Sequence, residues 1–226
     1  MQVNDEMISI MQGRAVIYAS MSELFLNLIE EKHLKMLEDL MPMYKEMAEN
    51  SDNKNIIYGV EHLTNFIKEY QKSDKSHKKT LIDNLNREYS RLFCLGNAAA
   101  ISESVYISPL HLTMQESEVE VSSIYKQCNF DMKHTSNEPQ DHLSYELMFM
   151  SYISKGIYKH LLNNNTAQAE NLINLQKSFI KDHLLNWLGD FNKLIKRFKE
   201  GDRFYYPLSC LLLGFIEEDS AYLETL

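Results

Sequence analysis

Apolar residues recur at three- and four-residue spacing along nearly the whole chain, and no segment competes with the two-residue alternation of a half-buried strand. Helices are therefore expected almost throughout. A first helix is predicted over about Arg14–Leu28, with Ile17, Met21, Leu24 and Leu28 on one face. A second carries Leu34, Leu37, Leu40, Met41 and Tyr44, and Pro42 should kink or restart it, because proline has no N–H for the preceding turn. A third, through Ile56, Val60, Leu63, Phe66, Ile67 and Tyr70, follows the polar loop Asn50–Lys54, and a fourth spans about Lys78–Leu92.

The pattern then breaks. Between Gly96 and His111, the glycine, Pro109 and the run Glu103-Ser104-Val105-Tyr106 read as an extended or irregular loop. A helix over about Gln115–Gln127 ends at Asn129, which suits a left-handed cap. Asn137–Asp141 reads as a helix start, since Pro139 fits a first turn and Glu138 and Asp141 complement the positive end of the helix dipole; His142 is the residue such a cap does not require. That helix carries Leu143, Leu147, Met150, Ile157 and Leu161 until the polar stretch Asn163–Thr166. A long helix from about Gln168 to Phe198, broken near Gly189, and a last one from Arg203 to about Ile216 complete the picture. The expectation is an all-α, single-domain, non-repeating helical bundle over residues 1–226 with a hinge loop near 129–137.

Composition narrows the function classes. With 226 residues, 44% of them apolar, and only 7 Gly and 4 Pro, the chain can bury one sizeable core without disulfides or a structural metal. Cys94, Cys128 and Cys210 are odd in number and form no C-x-x-C pair, as expected in a reducing compartment. Residues 1–10 carry acids rather than a basic leader region, and the apolar stretch Pro207–Ile216 is too short for a membrane span of roughly 20 residues, so a cytoplasmic location is expected. A net charge of −9 argues against nucleic acid as a partner, and Lys75–Lys79 and Lys193–Lys199 read as solvated helix faces. An acidic surface suits a cationic ligand.

No phosphate loop, dinucleotide fingerprint, zinc-protease helix, nucleophile elbow or EF-hand loop is present, so no catalytic residue and no cofactor is assigned. His142 and Glu146, four apart, would share a helix face in metal-ligand geometry, but no second pair matches them. A metal-dependent helical hydrolase using these two is the alternative from the enzyme class. Glu103, set among Ala98–Ile101, Val105 and Ile107, must find a partner if it is buried.

Six stretches in order resemble the TorD/DmsD/NarJ group of molybdoenzyme maturation chaperones over nearly the whole chain. They are Arg14-Ala15-x-x-Tyr18 with Leu24-Phe25; Glu88-Tyr89-x-x-Leu92-Phe93; Glu103-Ser104-Val105-Tyr106; Tyr125 with Phe130; Glu138-Pro139-x-Asp141-His142-Leu143 with Glu146-Leu147-x-Phe149-Met150; and Phe179, His183-Leu184, Trp187 and Phe204-Tyr205. Asn129 departs from the glycine of the family's Tyr-x-x-x-Gly-Phe pattern, although asparagine tolerates the same turn. Glu-Pro-x-Asp-His followed by Phe-Met is nearer TorD and DmsD than the nitrate-reductase branch.

The resemblance implies a non-catalytic cytoplasmic chaperone that binds the twin-arginine signal peptide of an apo-molybdoenzyme and assists cofactor insertion and folding before export. It implies Asp141 and His142 as binding residues, joined by Glu103, Tyr106, Glu138 and Pro139. Such a leader presents two guanidinium groups beside an apolar stretch, so its receptor needs placed carboxylates next to an apolar groove. It further implies a monomer or a domain-swapped dimer exchanging about the central hinge. Guanine nucleotide binding, described for some members, has no phosphate loop here to support it. A general helical adaptor without leader specificity is the remaining alternative.

Overall fold

A computed structural model of the chain describes residues 4–94, 99–131, 138–198 and 203–226. Among these the secondary structure is helical, with no strand and one isolated antiparallel bridge between Ser102 and His142. The elements are α1 (Asp5–Leu26), α2 (Glu31–Glu49), α3 (Lys54–Lys72), α4 (Lys75–Tyr89) with a π-helical turn at Ser90–Cys94, and α5 (Ser104–Ile107). Then come α6 (Glu116–Gln127), α7 (Leu143–Leu162), α8 (Thr166–Phe179) with a π-helical turn at Ile180–Leu184, α9 (Leu188–Arg197) and α10 (Tyr205–Glu224).

The helices fall into two compact units. The first comprises Met1–Leu26, Ser102–Trp187 and Asp219–Leu226; the second comprises Asn27–Ile101 and Leu188–Glu218. Most of the hinge expected near 129–137 lies outside the described residues.

In the first unit the N-terminal half of α7 is buried almost all round, as a central helix should be, and the most extensive neighbour of α7 is α1. Serines let these two backbones approach. Ser151 Oγ donates to the Ala15 carbonyl at 2.8 Å and Ser22 Oγ to the Ser144 carbonyl at 2.7 Å. A buried charge network fastens the same helices. Asp219 on α10 accepts from Arg14 through both carboxylate oxygens and from Tyr18 at 2.6 Å, while Arg14 Nη2 also donates to Gln176 on α8 at 2.8 Å. Gln176 Nε2 in turn donates to the Met150 carbonyl on α7 at 3.0 Å.

The second unit depends on a close helix crossing. A Cβ on Gly59 of α3 would lie 2.6 Å from the Pro207 carbonyl oxygen of α10, and one on Gly214 of α10 would lie 2.9 Å from the Ile56 nitrogen of α3. Only glycine fits at both contacts. Tyr89, Phe93, Phe204 and Tyr205 form an aromatic cluster, and Glu88 accepts from the Tyr205 nitrogen at 3.3 Å.

Several expectations need correction. Pro42 does not restart α2, which continues through it, because it lies on the exposed face, where the carbonyl deprived of its donor can be hydrated. Ser104–Ile107 is one helical turn rather than extended chain. Helix α7 starts at Leu143, so Pro139 precedes it and is not in its first turn. The break expected near Gly189 falls earlier, at the π turn and the residues before Leu188, and Gly189 lies inside α9. Helices α1 and α10 extend well beyond their predicted ends, since Met7 and Leu223 are still buried.

Removing one partner of a buried ion pair strands the other, which costs about 3–5 kcal/mol. Arg14→Ala is expected to lose stability on that scale in urea unfolding, and Arg14→Lys to recover little of it, because an ammonium cannot reproduce the two-pronged contact with Asp219. An unchanged midpoint for Arg14→Ala would show that the network contributes nothing.

Candidate functional site

The site is assembled entirely within the first unit, from α5, the residues just before α7, α7 itself and the π turn after α8. Two chain segments meet in it. The Glu103 nitrogen donates to the Asp141 carbonyl at 3.1 Å, forming part of the Ser102–His142 bridge. Asp141 Oδ2 then accepts from the Ser104 nitrogen at 2.7 Å and from the Ser104 hydroxyl. One carboxylate thus satisfies an orphan donor at the start of α5 and ties that helix to the residues that open α7.

His142 is the N-cap of α7. Its Nδ1 accepts from the Ser144 nitrogen at 3.2 Å, so the ring is neutral with its proton on Nε2. Burial pushes its pKa down to about 4. The cap that seemed not to need a histidine is the histidine, and Asp141, expected to serve the dipole of α7, is bonded to Ser104 instead. His142 is thus the cap before the helix that carries Glu146, and no group of three or more His, Cys, Asp or Glu able to hold a metal forms among the described residues.

Beside Asp141 lie two further acids, Glu103 and Glu146, each with no solvent exposure. His183 Nδ1 stands 3.0 Å from Glu103 Oε2 and donates to it. If all three acids were ionised, Glu103 and Glu146 would face each other as like charges with no donor between them. Burial raises the Glu146 pKa far above the carboxylate range, and the charges of Glu103 and Asp141 raise it further. Glu146 is accordingly the protonated member and donates to Glu103, while the Trp187 indole N–H is directed at Glu146. Burial also raises Glu103, and the hydrogen bond from His183 opposes that rise.

Aromatic rings close over the acids. Tyr106, half-buried, lies 5.0 Å from Trp187 between ring centroids, and Tyr125, Phe149 and Phe179 form a cluster that reaches His183. The π turn at Ile180–Leu184 inserts one extra residue into its helix at the position where His183 meets Glu103.

Of the residues singled out from sequence, Glu103, Asp141 and His142 come together inside the protein, Pro139 is buried next to them, Tyr106 is half-buried and Glu138 is exposed. His142 does not hydrogen-bond Asp141. Glu146, Ser104, His183 and Trp187 belong to the site as well, although the sequence marks them only as parts of the family-like motifs and, for Glu146, as a possible metal ligand. The four-residue spacing of His183 and Trp187 was a visible signal for that pair; the acid–acid pairing of Glu103 with Glu146 crosses 43 positions, 103 to 146, and left none.

A family model described as the nitrate reductase delta subunit matches residues 49–193. The chain belongs to that family. As a member of the nitrate reductase delta subunit family, it is similar along its length to proteins named chaperone protein TorD. The one from Shewanella piezotolerans is 25% identical over 225 residues, covering 95% of this chain and 94% of the relative. The one from Vibrio parahaemolyticus is 26% identical over 214 residues, covering 94% and 95%. A shorter match to the Vibrio cholerae protein reaches 34% over 92 residues. The resemblance to the TorD/DmsD/NarJ group thus holds at the level of the family, and its TorD side is represented among these relatives.

The buried groups titrate in opposite senses. His142 gains its proton near pH 6.5 when unfolded but only near 4 when folded, so stability is complete above 6.5 and falls as pH drops toward 4. Glu146 keeps its proton in the folded state above its ordinary value of 4.5, so its contribution is complete below 4.5 and is lost as pH rises. Urea midpoints should therefore show Glu146→Gln gaining on wild type as pH goes from about 5 to about 9, and His142→Asn, which keeps a capping oxygen, gaining as pH falls from about 6.5 to about 4. Parallel pH profiles for all three proteins would refute these protonation states.

Proposed function

We propose that this protein is a cytoplasmic, non-catalytic chaperone of redox-enzyme maturation, which holds the twin-arginine signal peptide of an apo-molybdoenzyme while cofactor insertion and folding are completed. The observation that carries the reading is the end-to-end similarity to proteins named TorD chaperones, about 95% of both chains, combined with the internal position of the most distinctive sequence motif.

The six residues divide by position. Glu138 and Tyr106 reach the surface and are the contacts for the peptide. Glu103, Asp141, His142 and Pro139 hold the two segments that present them, through the Ser102–His142 bridge, the Asp141–Ser104 bonds and the His142 cap. Buried carboxylates so arranged favour a surface with one shape, and a shaped acidic surface suits two guanidinium groups at fixed spacing. The client is the apo form of a molybdoenzyme catalytic subunit, and the chaperone works as a monomer or as a domain-swapped dimer.

Fluorescence anisotropy with a labelled twin-arginine leader tests the reading. Wild type is expected to bind it, replacement of both peptide arginines by lysine to weaken binding roughly tenfold because the bidentate fork is lost, and Glu138→Ala with Tyr106→Ala to weaken it comparably. Equal affinity for the arginine and lysine peptides would favour a general adaptor, and zinc-dependent hydrolytic activity abolished by Glu146→Gln would favour the enzyme alternative.

A further inference from the structure

We infer that the surface groove between α5 and α6, bounded by Ile107, Pro109, Leu110, Glu116 and Glu120, is where the apolar stretch of that leader docks, with its arginines on the glutamates. This rests on the leader-holding reading and adds the place and the division of labour.

Apolar exposure is concentrated there. Of the eleven large apolar side chains that are exposed among the described residues, five fall between positions 107 and 119: Ile107, Leu110, Leu112, Met114 and Val119. Leu110, Met114 and Val119 are 67%, 62% and 70% exposed, so they contribute nothing to the core that would explain apolar side chains in a loop. The groove beside them, lined by Ile107 and Leu110 of this set, has a volume of about 360 Å³, enough for one or two large side chains.

Charge complements the apolar patch. Glu116 and Glu120 stand four apart on α6 and both line the groove, while Val121 and Tyr125 of the same helix are buried. Neither glutamate has an ion-pair partner among the described residues. Glu116 also complements the N-terminus of its helix, but Glu120 lies beyond the first turn and has no such role. An apolar segment with adjoining cations satisfies both halves of the surface, whereas a second copy of this acidic chain would bring carboxylates against carboxylates.

The groove is preformed and continuous with the candidate site. His111 and Met114 adopt left-handed backbone angles, with φ of 51° and 59°, that non-glycine residues rarely take. The loop is held by His111 Nδ1 on the Val105 carbonyl at 2.9 Å and by Gln115 Nε2 on the Thr113 carbonyl at 3.0 Å. The Gln115 nitrogen donates to the Ser104 hydroxyl at 3.3 Å, the same hydroxyl that bonds Asp141, and the Gln140 nitrogen donates to Glu118 on α6 at 3.3 Å. Thus the segment carrying Glu138 is tied to one side of the groove, and a surface fixed before binding loses less entropy on capture.

The test measures affinity of the labelled twin-arginine leader for the full-length protein and three variants. Leu110→Asp with Met114→Asp, and separately Glu116→Lys with Glu120→Lys, are each expected to weaken binding by about tenfold or more. Leu162→Asp, an exposed apolar position elsewhere in the same unit, should bind as wild type does. All changed side chains are exposed or on the groove rim, and Leu110→Ser with Met114→Ser repeats the measurement if the aspartates alter the melting curve. Binding by wild type that both groove variants retain would overturn the groove while leaving the leader reading standing. No binding of the leader by wild type would overturn the leader reading and the groove with it.

Discussion

Asp141 is the residue on which the first unit's functional face depends. A fully buried carboxylate is costly unless its charge is met by donors, and here the donors are the backbone and hydroxyl of Ser104. Those bonds can form only if the short helix α5 starts at Ser104 and the chain before α7 runs antiparallel to Ser102. The cost of burying one charge therefore dictates the path of two short segments, one of them a single helical turn. His142 completes the junction by capping α7, which frees Asp141 from that duty.

The second layer of the same device is the acid pair beneath. Two carboxyls with no exposure are tolerable because one keeps its proton and donates a hydrogen bond to the other, and because His183 supplies the remaining donor. Such an arrangement makes poor sense as a contribution to stability alone, since apolar side chains of similar volume would serve at least as well. It makes better sense as a means of fixing one geometry for Tyr106, Trp187 and the loop that follows.

Periodicity made the helices legible, because amphipathic and buried helices write their spacing into the chain. Misreadings came where a local rule met a long-range bond. Pro139 and the acids around it look like a helix start, yet the helix opens at Leu143 because Asp141 is drawn to Ser104, 37 residues away. Glu103-Ser104-Val105-Tyr106 looks irregular, yet it turns helical because that same carboxylate supplies the cap. The burial of Arg14 is invisible in sequence for the same reason, as its partner Asp219 lies 205 positions on. Candidate site residues were recognisable by motif, while their depth was not. Whether a carboxylate meets solvent or a serine is settled by which distant segment folds over it.

The π turn at Ile180–Leu184 also sets the phase of the chain. It holds one residue more than an α-helical turn, and that residue shifts the side chains within it and just beyond it by roughly 100° about the helix axis. His183 faces Glu103 within the turn, and Trp187, just beyond it, faces Tyr106. Loss of a single residue here would give this turn the ordinary α-helical phase, a change that looks mild in an alignment. It would swing the indole away from Tyr106, so that relatives differing by one position in this turn would present a different floor to whatever they bind.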